Sequence, residues 1–177
     1  MTASPEFATI RVPELRWQFS KIPTPRFELT HQGLLSATLE HVSMPRNGVL
    51  CRCSEGEWVL TFEMGWSKDT ATIESLRDNK TVVSWSSTSP YPEKLTFADS
   101  REFTINPSNG LAHKIEVLDE LSERLLLYRP TDMSLANIFH TEATVEVTYK
   151  GQIEPHLPAL IFFVWQAVLW RGAQASG

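Results

Sequence analysis

The chain has 177 residues, 42% of them apolar and 21% charged, with a formal net charge of −5. That length suits one domain able to bury a core without disulfides or metal. The acidic balance speaks against a general nucleic-acid binder, whose phosphate contacts need a clustered positive surface, and against strong non-specific attraction to anionic lipid.

Residues 1–14 are expected to be a loosely held leader to the domain, and Met1 to Phe7 lacks the basic start and apolar run of a secretory signal. From Trp17 onward the pattern is period-two alternation, the mark of half-buried strands. Phe27 and Leu29 alternate with Glu28 and Thr30. Trp58, Leu60, Phe62 and Met64 share one face against Val59, Thr61 and Glu63. Val83 and Trp85, Leu95 and Phe97, Phe103 and Ile105, and Ile115 and Val117 each flank a polar residue. Val145, Val147 and Tyr149 alternate with Glu146 and Thr148. Shorter strands are expected at Trp17 to Phe19, Leu35 to Leu39, Val49 to Cys53, Ala71 to Ser75, Leu125 to Tyr128 and Asn137 to Phe139.

Turn residues separate these segments, as in His31-Gln32-Gly33, Ser54-Glu55-Gly56 and Asp78-Asn79. Asp119 to Arg124 reads equally as a brief helical turn or a hairpin loop. About a dozen short strands at this spacing suggest a sandwich or barrel. A weak internal echo runs through Phe27-Glu28-Leu29-Thr30, Ile73-Glu74-Ser75-Leu76 and Ile115-Glu116-Val117-Leu118, each followed by a polar turn and another strand. Any antiparallel meander would also produce such an echo.

Leu157 to Trp170 is the most apolar stretch of the chain. Pro158 suits a first helical turn, Arg171 suits the negative end of the helix dipole, and Gly172 suits a stop, so the helix is expected over 157–171. The stretch is shorter than the roughly 20 residues a helix needs to cross a bilayer. Gln166 is its only polar side chain. A helix apolar all round must be surrounded, and in a β protein the way to do that is to wrap strands around it. Each large side chain so buried contributes about 1.5–3 kcal/mol. The expectation is an all-β antiparallel barrel closed around this helix, a single domain over 15–171 with a tail at 172–177. Gln166 would then need a buried partner.

This layout, with hairpins such as Ile73-Glu74-Ser75-Leu76-Arg77-Asp78 and the closing run Leu160-Ile161-Phe162-Phe163-Val164-Trp165-Gln166-Ala167-Val168-Leu169, resembles the tubby C-terminal-like superfamily. That superfamily includes tubby proteins, plant LURP-one-related proteins and phospholipid scramblases. The resemblance covers roughly residues 15–171 and implies a twelve-stranded barrel threaded by a hydrophobic C-terminal helix. It also implies a role at lipid headgroups. The basic phosphoinositide site of tubby proteins has no counterpart here, nor do the calcium-binding segment and palmitoylation run of scramblases, so no functional residue carries over.

Chemistry-bearing motifs are sparse. Cys51 and Cys53 would point to one face of a strand, where a bridge would close a strained ring. They are expected as small apolar side chains in a reducing cytoplasm. His31, His41, His113, His140 and His156 form no metal-binding pair; Glu154 with His156 comes nearest, stiffened by Pro155. No nucleophile elbow or phosphate loop is present, and no metal or other cofactor is expected. The surface candidates are Arg16, Lys21 and Arg26, the densest basic region, together with Trp66 and Lys68 at a strand end.

These features favour a non-enzymatic binding or scaffold module, a monomer or weak dimer, that meets lipid headgroups or a protein partner and not nucleic acid. The alternatives are a barrel carrying a small apolar ligand and an enzyme with an unrecognised site. The position of the terminal helix separates the first two, because a carrier needs an empty lumen.

Overall fold

A computed structural model describes residues 14–21, 25–42, 48–63, 69–87, 93–107, 114–130 and 142–174. Twelve strands follow one another: β1 Glu14–Ser20, β2 Arg26–His31, β3 Leu34–Val42, β4 Gly48–Cys53, β5 Gly56–Glu63, β6 Asp69–Ser75, β7 Thr81–Ser87, β8 Glu93–Phe97, β9 Glu102–Pro107, β10 Ile115–Leu118, β11 Arg124–Pro130 and β12 Ala143–Val147. Each pairs antiparallel with its neighbours in the chain, and β1 pairs with β12 to close a barrel. Two helices follow, α1 Tyr149–Gln152 and α2 Leu157–Gln174.

The alternation read from the sequence is the inside and outside of this wall. Leu15, Trp17, Phe27, Leu29, Leu60, Ile73, Val83, Leu95, Phe103, Val117 and Val145 are all within 3% of full burial. The closing seam matches large to small, because Trp17 lies opposite Ala143.

α2 fills the lumen. Every residue from Leu157 to Leu169 is buried. Opposite walls touch it: Trp17 of β1 stacks on Trp165 with ring centroids 5.5 Å apart, and Trp85 of β7 meets Phe163 at 5.9 Å. Likewise Trp58 of β5 meets Phe162 at 6.0 Å, while the Tyr128 hydroxyl of β11 donates to the Ile161 carbonyl at 2.6 Å. In the strand order, β1 lies across from β7 and β11 across from β5, so the helix runs down the middle. Burial pushes the Tyr128 phenol far up, keeping it a donor. The Trp17 indole N–H faces that hydroxyl without meeting hydrogen-bond geometry.

Strands of four to nine residues, most often six or seven, tilted by about 35–45°, build a wall about 15–20 Å tall. α2 has 18 residues and is about 27 Å long. It therefore spans the lumen and extends past one rim. It continues through Gly172 to Gln174, beyond the expected end at Arg171. Glycine in a helix costs about 1 kcal/mol and does not force a stop.

The rim where α2 begins carries the tight hairpins. Three of them are the echo seen in the sequence, and they share a construction. β2–β3, β6–β7 and β10–β11 each shift register once, at Leu29/Thr30, Ile73/Glu74 and Val117/Leu118. Their turns hold Gln32, Asn79 and Ser122 in the left-handed region, at φ 49°, 53° and 61°. Asp119 to Glu123 is thus a hairpin turn and not a helical one.

Tyr149 departs from expectation. It does not continue the inward face of β12 but starts α1 and is 80% exposed. The Thr148 hydroxyl caps this turn by accepting from Gly151 N at 3.1 Å. That hydroxyl also donates to the Arg124 carbonyl at 2.9 Å, so the chain bends over the rim instead of extending. Met64 and the expected strand at Asn137 to Phe139 lie outside the described residues.

Cys51 and Cys53 share the inner face of β4 and form no disulfide. Burial, with Cys53 beside it, pushes the Cys51 thiol up. No helix among the described residues is long and apolar enough to cross a membrane.

Two substitutions test the packing. A Cβ on Gly151 would meet the Leu125 carbonyl oxygen at 2.5 Å and Val147 Cγ1 at 3.0 Å. Gly151→Ala is expected to lower stability by about 1–3 kcal/mol in urea unfolding; an unchanged midpoint would mean that α1 shifts freely. Gln166 is 6% exposed, and its Oε1 has no hydrogen-bond partner among the described residues. Gln166→Met, which removes that acceptor at similar volume, should leave stability equal or higher by about 1–3 kcal/mol. A clear loss would show that the amide oxygen is satisfied in solution.

Candidate functional site

The seam β12–β1–β2 carries a cleft of about 400 Å³ on the outside of the barrel. Its position follows from register. Arg16 lies between Thr144 of β12 and Thr30 of β2, and short side chains beside long ones leave a hollow. Glu14, Gln18, Gln32 and Glu142 complete its polar walls. Arg16 pairs with Glu142, and Thr30 Oγ1 donates to the Arg16 carbonyl at 3.4 Å. The hollow offers amides, hydroxyls and two carboxylates to one guanidinium, which suit hydrogen-bonding recognition more than bond chemistry.

Lys21 lies near Arg26, since Ser20 pairs with Arg26 and Lys21 follows at once, but Arg16 pairs with Thr30, four residues further back along β1. The three do not form a free basic patch. Arg26 contacts Glu28 at 2.8 Å and Glu40 at 3.8 Å. The row continues with Arg52, which bonds Glu40 at 3.0 Å and Glu57 at 2.8 Å. Thr38, between Glu28 and Arg52 in register, is buried beneath it. The row has three carboxylates to two guanidiniums, so it offers little attraction to phosphate. Trp66, Lys68, His113 and His140 lie outside the described residues.

A second polar constellation covers the rim where α2 begins. Arg101, in the β8–β9 turn, grips Glu154 through two bonds of 2.8 and 2.7 Å. Glu154 Oε1 also accepts from the His156 backbone N–H at 3.1 Å. His156 Nε2 bonds Asp99 Oδ2 at 2.8 Å, and its ring packs on Phe97 with centroids 4.2 Å apart. The His156 contact holds the Asp99 carboxyl below its ordinary range. Glu154 and His156 therefore do belong together, but as a clamp fastening the β8–β9 hairpin to the start of α2. A base–acid contact is present; the nucleophile that a hydrolytic triad requires is not among the partners found for His156.

The β10–β11 turn is fastened in the same manner. Asp119 accepts from the backbone N–H of Leu121 and Glu123, both at 2.9 Å, and Lys150 of α1 pairs with Asp119 and Glu123. Burial alone would raise the Asp119 carboxyl. Lys150 and the two backbone donors outweigh it and hold the group below its usual value. Sequence reasoning pointed to Glu154 and His156 but missed Arg101, Asp99 and Lys150, whose roles depend on which turns share a rim.

No group of three or more metal-binding side chains placed to hold an ion is found among the described residues. No family model matches the chain, and no curated protein or solved structure matches it.

The Asp119 clamp makes a pH prediction. Its folded pKa is depressed, so its contribution is complete above the unfolded value of about 3.9 and is lost as pH falls through the folded value. Asp119→Asn keeps the backbone acceptor and loses the charge. Wild-type melting temperature should therefore fall more steeply than that of the variant below about pH 4, as followed by circular dichroism. Parallel curves would show that the Lys150 pair contributes nothing.

Proposed function

We propose that the protein is a non-enzymatic binding module that recruits a partner through its exterior. The observation that carries this reading is α2 in the lumen, with Leu157 to Leu169 buried. A carrier for an apolar ligand needs that volume for its cargo; here Phe162, Phe163 and Trp165 occupy it. Binding is left to the outer surface. Among the described residues, the seam cleft and the turn-bearing rim are the candidate surfaces.

Between lipid headgroups and a protein, the charge pattern favours a protein. Arg16 and Arg26 are both paired with carboxylates, which weakens attraction to phosphate. The closed barrel with an axial helix agrees with the architecture that the tubby-like resemblance implies, and the same resemblance keeps headgroup binding as the second reading. Two cysteines outside any disulfide suit a cytoplasmic setting.

Titration with a fluorescent fatty acid tests the reading. Native protein is expected to leave the probe free. Stoichiometric uptake at low micromolar concentration would replace recruitment with the carrier.

A further inference from the structure

Among the described residues, the large exposed apolar side chains are Leu34, Leu35, Leu76, Leu121, Tyr149 and Ile153. All six sit on the rim where α2 begins, in hairpin turns, at the start of β3 or around α1. Three of them gather in one place. Tyr149 and Ile153 are four residues apart across the α1 turn and its cap, a spacing that puts side chains on one face. Leu121 is on the adjoining β10–β11 turn, which Lys150 ties to α1 through Asp119 and Glu123. Tyr149 is 80%, Leu121 76% and Ile153 57% exposed.

This patch is not a by-product of closing the barrel. The chain could have ended β12 in a polar turn. Instead it builds α1, which needs the Thr148 cap and a glycine pressed against the Leu125 carbonyl, and that turn directs Tyr149 outward. Exposed apolar residues gathered together and rimmed by polar ones mark an interaction surface.

The surrounding charge selects the occupant. The sector of the rim from the β8–β9 turn to α1 holds Asp99, Asp119, Glu120, Glu123 and Glu154 against Lys150 and Arg101, nearby Arg124 is paired with Glu116, and Arg77 and Lys80 stand apart from it on the β6–β7 turn. A second copy of the chain would bring like charges together, and an anionic bilayer would be repelled. An apolar centre with a carboxylate surround complements an apolar face flanked by lysine or arginine.

We propose that this rim docks a basic, apolar-faced helical segment of a protein partner. The inference rests on the recruitment reading and adds its surface and its partner class.

The test uses two designed helical peptides of about 18 residues, five turns, with one shared leucine face and either lysine or glutamate on the polar face. Anisotropy titrations would use the full chain and its Tyr149→Ser/Ile153→Ser variant. The lysine peptide should bind wild type and weaken with salt, the glutamate peptide should not bind, and the variant should bind at least about tenfold more weakly. Leu121→Ser supplies an independent loss of affinity should the double variant fold poorly. No binding of the lysine peptide, equal binding of both peptides, or undiminished binding by both variants would overturn the proposal. Flotation on phosphatidylserine vesicles that is abolished by the same variants would reassign the rim to membranes and also overturn it. Fatty-acid uptake would remove the recruitment reading whatever the peptides do. Peptide failure with the fatty acid still excluded would remove only this surface.

Discussion

A helix with no wet face has to be enclosed, and the rest of this structure follows from that requirement. One sheet can enclose a helix on all sides only by closing on itself. Closure rests on a single non-local pairing, β1 with β12, because every other strand contact joins neighbours in the chain. The inner face of the wall then has to mix large and small side chains to fill the lumen around the helix. Trp17, Phe27, Trp58, Phe62 and Trp85 reach in to touch aromatic residues of α2, while Ala37, Ala71 and Ala143 line the same inner face.

The outside obeys a different rule. Its side chains are mostly polar, although Val59 and Leu127 on it are buried, and cross-strand neighbours of opposite sign settle into rows such as Arg26, Glu40, Arg52 and Glu57. Exposed pairs of this kind contribute little stability each, but they balance local charge and leave the wall unattractive to phosphate. Contacts of greater consequence gather at one rim. There Arg101, Glu154, His156 and Asp99 bind the start of α2 to a hairpin, and Lys150 binds α1 to another. The rim thus positions the enclosed helix and also displays the apolar residues that a partner would meet.

Most of the wall was legible because alternation is a local signal: eleven of the twelve strands coincide with alternating or short apolar segments read directly, and β12 differs only in giving up Tyr149. The helix was legible because it lacks a polar face. α1 was not, since it depends on Thr148 capping Gly151 against the Leu125 carbonyl of another strand. The surface site was misleading for the same reason. Arg16 looks free in the sequence, yet its partner Glu142 lies 126 positions away and arrives only through the closing seam. The repeated hairpins, in contrast, were visible as an echo because a bulge followed by a left-handed turn residue leaves a local trace.

The position of α2 in the chain has a consequence for biosynthesis. A ribosome makes it after all twelve strands, so while β1 through β12 emerge their inner faces have nothing to pack against. Hairpins can form in that interval, but the ring cannot settle around its axis until Leu157 to Leu169 are released. Nascent chains that expose apolar surface are prone to aggregate, so the strands stay exposed to that hazard until the helix is made.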